Sequence, residues 1–405
     1  MKTKAQIVEE ILTRSVSQVL PSKNDLAKIL ASEQKLKIYI GADATGPQLH
    51  LGHATNFMLL EKFRQLGHQV VVLFGDFTAM IGDPTDKTAA RVRLTKDQVA
   101  ENIKTWKAQV GHILNFEDQE NPAQIVYNSQ WLAELKFAEL IELASNFTVQ
   151  QMLERDMFEK RMQDAKPIYV SEFFYPLMQG YDSVHLDVDL EIGGTDQTFN
   201  MLVGRTLQKK YHNKEKMVIS TTLLTNPATG KKLMSKSEGG FIALNDAPKD
   251  MFGKTMALPD ETLVQVFVDC TFVPMEEIEK MKVAMEAGEL NPRDAKLQLA
   301  TEIVKIYHGE IEAEQAQQYF VKTISNKEIP AEIVEFKVES ESLKLTELLA
   351  SSGNAVSLSD AKRKIEQGGV SVDGEKILDA TLLLEKSFDG KIFKIGKLGW
   401  VKVRF

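Results

Sequence analysis

Residues 69–77 hold Val70, Val71, Val72, Leu73 and Phe74 in unbroken succession. Side chains alternate faces along a strand, so a run like this suits a strand buried on both sides. Such strands belong to parallel sheets covered by helices, and parallel neighbours need a crossover connection. The chain supplies one. Residues 36–43 are apolar and β-prone, and 54–66 carry Phe57, Leu59, Leu60 and Phe63 in a helical pattern. Strand, turn, helix and strand make a βαβ unit, right-handed by the general rule. Ligands in such sheets bind beyond the carboxyl ends of the strands. The segment Gly41-Ala42-Asp43-Ala44-Thr45-Gly46-Pro47-Gln48-Leu49-His50-Leu51-Gly52-His53 falls at that place.

The 405 residues allow two or three domains and a large core. The single cysteine, Cys270, excludes an internal disulfide framework and a cysteine-based zinc site. Beside Val266, Phe267 and Val268 it reads as a packed core thiol. No apolar run is long enough to span a bilayer, and residues 1–10 lack an apolar signal core, so a cytoplasmic location is expected. The net charge of −8 argues at first against a nucleic-acid partner. Its distribution softens that. Residues 341–405 hold 11 Lys and Arg against 9 Asp and Glu, a balance of +2, which leaves −10 for the rest. Local patches, more than totals, set phosphate affinity, so the tail is permissive for RNA.

Residues 1–34 read as helical, with Val8, Ile11, Leu12 and Val16 at helical spacing. Residues 96–114 and 133–156 read as long helices that interrupt the βαβ rhythm, an inserted region at about 84–175. Strand character returns at 186–192 and 217–224, and 247–308 is mostly helical. The expected domains are a catalytic Rossmann-like doubly wound parallel sheet over 1–240 and a helical domain over 241–325. A linker at 326–340 and a small α+β unit at 341–405 complete them.

Three clusters carry chemistry. His50 and His53, three apart on a first helical turn, share a face, and Gly52 leaves room for a ligand at the backbone. Helix N-termini attract phosphate, and imidazoles can donate to charge developing on phosphorus. An arbitrary His-x-x-His is more often structural, and a metal reading lacks a third ligand nearby. The second cluster is Met234-Ser235-Lys236-Ser237, with Gly230, Gly239 and Gly240 around it. A lysine on such a loop can close over a triphosphate, whereas an isolated lysine run is usually a solvated surface. The third places Tyr175, Gln179 and Asp182 at i, i+4 and i+7 of a helix, on one face. On an apolar face they would be stranded unless a polar ligand satisfied them. Asp182 read alone could equally be an ordinary surface acid.

The first two clusters, in this order and with no P-loop in the chain, resemble the HIGH and KMSKS signatures of class I aminoacyl-tRNA synthetases. Leu233 stands where the second signature usually begins with Lys, with Lys232 just before it. Tyr39, the Gly82-Asp83-Pro84 turn, the Tyr175–Asp182 cluster and Gly193-Gly194-Thr195-Asp196-Gln197 resemble the tyrosyl-tRNA synthetase family, bacterial shorter-chain subgroup. Ala42, Ala44, Thr85-Asp86 and Thr198-Phe199 depart from commoner members without removing a needed group. The resemblance implies that Tyr39 and Asp182 bond the phenol of tyrosine. It implies that Asp83, Tyr175 and Gln179 hold the ammonium, with Gln197 near the carboxyl group. Asp43, Gly52, Gly194 and Asp196 would place ATP, with Mg²⁺ accompanying it. His50, His53 and Lys236 would stabilise the pentavalent phosphorus. No protein-held metal is expected.

The tail, with Ser357-Leu358-Ser359-Asp360, the cations Lys362, Arg363 and Lys364, and Gly368-Gly369, resembles an S4-type RNA-binding domain. A basic helix before a glycine turn suits a structured RNA backbone, though a short basic run is also commonly a solvated face. The implied activity is ATP-dependent tyrosyl-adenylate formation, then transfer of tyrosine to the 3′ end of its tRNA. The resemblance further implies a homodimer with its interface around 120–175. The rivals are a tryptophanyl relative and an RNA-binding protein on a retired synthetase scaffold.

Overall fold

The computed structural model describes residues 3–84, 94–234, 240–325, 333–396 and 399–405. It divides into two compact units, Met1–Ala247 with Lys254–Gly309, and Pro248–Gly253 with Glu310–Phe405. Among the described residues no helix is long and apolar enough to cross a membrane.

The first unit is built on a six-stranded sheet: β1 (Val16–Leu20), β2 (Lys37–Asp43), β3 (Gln69–Gly75), β4 (Gln124–Tyr127), β5 (Leu190–Gly194) and β6 (Met217–Thr221). The spatial order is β1-β6-β5-β2-β3-β4. Strands β2 to β6 run parallel, and the valine run of β3 is buried from Val70 to Gly75. The chain leaves β2 through the helix Leu51–Gln65 to reach β3 on one side, while β5 lies on the other. Strand order reverses there, so the carboxyl ends of β2 and β5 open a crevice.

Three expectations are corrected. The stretch 1–34 is not all helix, since β1 pairs antiparallel with β6 and makes the sheet mixed. Its partner lies some 200 residues away, and a short edge strand has no long apolar run to announce it. Residues 96–114 and 133–156 are broken into short helices. Thr95 and Thr148 open two of them through reciprocal caps with Gln98 and Gln151. Between these stretches lies β4, which extends the parallel sheet. Finally, residues 254–309 cluster with the sheet instead of forming a separate helical domain. Arg14 explains this: it donates to the carbonyls of Phe267, Val268, Thr271 and Val273 at 2.6–3.0 Å, capping the helix Leu263–Cys270. Cys270 is fully buried, with Sγ 3.7 Å from the Leu51 carbonyl oxygen, a core thiol as expected.

In the second unit, β7 (Val334–Lys337), β9 (Val370–Val372), β10 (Glu375–Ile377), β12 (Ile392–Ile395) and β13 (Gly399–Arg404) form one sheet in the order β10-β9-β12-β13-β7. Strands β8 (Ser342–Lys344) and β11 (Leu383–Glu385) pair separately. Leu345, Leu348 and Leu349 pack with Ala361, Ile365, Phe393 and Val401 as its core. Within the expected linker, 326–332 lies outside the described residues. Residues 334–337 are instead strand β7, parallel to β13.

Candidate active site

A cavity of about 390 Å³ opens at the crevice between β2 and β5. Ile40 to Asp43 of β2 line it, as do Glu191 to Gly194 of β5 and residues from the helices that follow and cross them. His50, Gly52, His53, Asp83, Tyr175, Gln179, Asp182, Asp196 and Gln197 all reach it, with Lys232 and Met234.

His50 is the N-cap of Leu51–Gln65. Its Nδ1 accepts from the Gly52 N–H at 3.1 Å, and His53 Nδ1 accepts from the His50 N–H at 3.2 Å. The two rings lie 3.9 Å apart, centroid to centroid. A ring nitrogen that accepts carries no hydrogen, so the neutral tautomer of each ring bears it on Nε2. Burial pushes the His53 pKa down to about 4, against a smaller opposing pull from the His50 backbone. His53 is therefore a neutral donor near pH 7. A methyl group at Gly52 would stand 3.0 Å from the His50 ring, so glycine keeps that ring in place.

Asp182 is buried in the helix Val170–Leu186 and lines the cavity. It accepts from Trp131 Nε1 at 2.8 Å and Asn128 Nδ2 at 3.2 Å. Burial raises its pKa well above the usual carboxylate range, and those two donors pull the other way. Neither Trp131 nor Asn128 was identifiable from the sequence. Both lie more than 50 residues from Asp182 and carry no local motif.

Tyr39 lies in β2. It is fully buried, its hydroxyl sits 2.9 Å from Ser183 Oγ, and it is not part of the cavity lining. Tyr175 does line the cavity, but its hydroxyl donates to Asp43 Oδ2 at 3.0 Å, while Thr78 donates to Asp43 Oδ1 at 2.6 Å. Asp83 accepts from Arg155 at 2.8 Å and from Gln197 Nε2 at 2.8 Å. Gly194 has no room for a side chain, since a methyl group there would stand 2.7 Å from Asp196 Oδ1. Asp196 pairs with Lys232 at 3.0 Å. Thr78, Arg155 and Glu191 are further site residues that carried no signal in the sequence.

Lys236 lies outside the described residues. Its flanks do not. Leu233 is buried, and its N–H donates to the Leu224 carbonyl at 2.9 Å. Met234 lines the cavity. On the far side Leu51 N–H donates to the Ile242 carbonyl at 3.2 Å, and Phe241 stands edge-on to His50 at 5.3 Å. In the second unit, the helix Leu358–Glu366 carries Lys362, Arg363 and Lys364 away from this cavity's residues in sequence. Arg363 and Lys364 both pair with Asp360, at 2.5 and 3.1 Å, and Lys362 with Glu366 at 3.7 Å.

A switch-point crevice joined to a helix start capped by two histidines defines the catalytic domain of a class I aminoacyl-tRNA synthetase. The sequence profile of the family described as tRNA synthetases class I (W and Y) matches residues 31–325. A tyrosine–tRNA ligase from Carboxydothermus hydrogenoformans is 45% identical, over 98% of this chain and 97% of that one. One from Thermotoga maritima is 42% identical, over 97% and 96%. The solved mitochondrial tyrosyl-tRNA synthetase of Coccidioides posadasii, C-terminally truncated, superposes with a TM-score of 0.62 at 25% identity, covering 78% of this chain and 92% of that one. The Archaeoglobus fulgidus tyrosyl-tRNA synthetase, solved with L-tyrosine, shares the fold, with a TM-score of 0.60 at 20% identity over 78% and 100%. The chain belongs to the class I tRNA synthetases, in their tyrosyl branch.

Proposed function

We propose that the cavity between β2 and β5 joins L-tyrosine to ATP and then delivers tyrosine to its tRNA. The observation that carries this is one cavity lined both by the His50–His53 helix start and by the buried carboxylate of Asp182. In the first half-reaction a carboxylate oxygen of tyrosine attacks the α-phosphorus of ATP. The bond to the bridging oxygen breaks, and pyrophosphate leaves with its electron pair. In the second, a hydroxyl of the terminal tRNA ribose attacks the tyrosyl carbonyl, and AMP departs.

Asp182, fixed by Trp131 and Asn128, accepts the phenolic hydrogen. A site built around that bond excludes phenylalanine by leaving a buried acceptor without its partner, the effect known for tyrosyl enzymes. Asp83, Gln179 and Gln197 meet the amino and carboxyl groups. His50 and neutral His53 donate to the phosphorus centre as charge builds there. The flanks of Lys236, Met234 at the cavity and Phe241 at His50, support a role for that lysine against the leaving pyrophosphate. Mg²⁺ enters as part of the ATP substrate.

The second unit binds the tRNA backbone through the Leu358–Glu366 helix, on which Asp360 pairs with Arg363 and Lys364. A homodimer is supported by Phe137, Ile141, Val149 and Val170, large apolar residues exposed within the segment 120–175. The reaction belongs to the cytoplasm. Amino-acid-dependent exchange of labelled pyrophosphate into ATP tests the reading. Tyrosine supports exchange, and Asp182→Asn lowers its kcat/KM by roughly a hundredfold. Exchange with tryptophan in place of tyrosine would refute it.

A further inference from the structure

Beside the cavity lies a buried ion pair with no part in the chemistry above. Glu191 lines the cavity from β5. Lys216, just before β6, is fully buried and outside the lining, and its Nζ donates to Glu191 Oε2 and to Ser183 Oγ, the latter at 2.8 Å. Gly204 makes the space: a methyl group there would stand 2.5 Å from Lys216 Nζ and 2.7 Å from Ser183 Oγ. Removing two charges from water is expensive, and neutral packing often does as well or better, so stability alone is a weak reason for the pair.

What the pair supplies is polarity. An ionised carboxylate only accepts. Glu191 Oε1 accepts from Gln179 Nε2 at 3.0 Å, which turns the Gln179 oxygen toward Asn200 Nδ2 at 2.9 Å. Asn200 Nδ2 also donates to Gln197 Oε1 at 3.0 Å, which turns Gln197 Nε2 toward Asp83 Oδ2 at 2.8 Å. With a carboxylate at each end and Asn200 donating in the middle, this is the order in which no two donors and no two acceptors meet. Gln179, Gln197 and Asp83 line the cavity; Asn200 and Lys216 stand behind them.

We propose that Lys216 is a positioning residue for the amino-acid subsite: its ion pair anchors the Glu191 carboxylate, and so fixes which atom each carboxamide of Gln179 and Gln197 turns to the substrate. The inference rests on the reading that these glutamines meet the amino and carboxyl groups of tyrosine. An ammonium group needs acceptors and a carboxylate needs donors, so a reversed carboxamide would oppose the substrate at either place. With a neutral, two-faced partner at position 191 the relay loses its fixed end.

The test is pyrophosphate exchange by the full chain, with tyrosine and ATP varied separately. The double variant Lys216→Met/Glu191→Gln leaves no buried charge unpaired and keeps its melting temperature near that of the parent. It is expected to raise the tyrosine KM about tenfold while the ATP KM stays within about twofold. A purely structural pair predicts the reverse, a folded double variant with unchanged tyrosine KM, and that result overturns the inference. Gln179→Ala separates the two levels. If it leaves the tyrosine KM unchanged, the subsite reading fails and takes this inference with it. If it raises that KM while the double variant does not, the inference alone fails. Should the double variant not fold, Glu191→Gln, an isostere read by the same two KM values, decides in its place.

Discussion

A proton on His53 would sit at a helix N-terminus, on the nitrogen that already accepts from the His50 N–H. His68 has the same difficulty. It is buried, its Nδ1 accepts from the Leu36 N–H at 3.1 Å, and burial first, then Lys35 and Lys4, lower its pKa to about 4. In the unfolded chain both rings take up a proton near 6.5. Between about 4 and 6.5 the unfolded state therefore binds more protons, and stability must fall as pH falls through that window. For His68 the loss at pH 5 is roughly 1–2 kcal/mol. Melting temperatures measured from pH 7 to 4.5 should decline, and His68→Asn, which keeps an acceptor for the Leu36 N–H but cannot titrate, should flatten the decline. An equal slope in that variant would show that other groups dominate. The histidine pair was legible in the sequence because its chemistry is local: a glycine turn, a helix start and two rings one turn apart. Trp131, Asn128 and Lys216 were not, because each acquires its meaning only when distant strands and helices bring it beside a partner. Tyr39 was legible as a strand residue, but the hydroxyl beside its own, that of Ser183, lies 144 residues on and left no local mark.

The crossing of the helices Val170–Leu186 and Thr198–His212 sets the geometry of the amino-acid subsite, because Gln179 and Asp182 ride on the first and Asn200 on the second. Two glycines permit it. A methyl group at Gly180 would stand 2.8 Å from Leu207 and 2.9 Å from Val203, and one at Gly204 would stand 3.4 Å from the Gly180 Cα. At Gly204 it would also meet Lys216 and Ser183. Gly204→Ala should therefore destabilise the chain by about 1–3 kcal/mol, against the usual gain from placing alanine in a helix. Urea unfolding reads this directly, and a stabilised variant would mean the helices can part without loss. The βαβ unit was legible at this scale because a doubly buried strand and an amphipathic helix have distinct periods. Strands β1 and β7 were not. Each is a short edge strand whose partner lies far along the chain, so neither carries the long apolar run that betrayed β3.

At the scale of the whole chain, the division of labour determines where the protein can be cut. The family match runs over 31–325, and the cavity residues all lie within it. A cut at 341 would strip β7 of its neighbour β13 and leave Phe336 and an open strand edge exposed. A cut after Ser325 removes β7 with the sheet to which it belongs. It also keeps the helix Glu310–Phe320, whose Phe320 ring lies 5.5 Å from Phe252. The chain 1–325 should retain tyrosine-dependent pyrophosphate exchange within about threefold, because no group needed for the adenylate is lost. Charging of tRNA should fall by about a hundredfold, since the backbone contacts assigned to Lys362, Arg363 and Lys364 go with the removed segment. The two activities must separate for the assignment to stand. If charging survives the cut, the phosphate contacts lie in the sheet-bearing unit. If exchange is lost as well, the second unit supports the catalytic fold in addition to any hold on RNA.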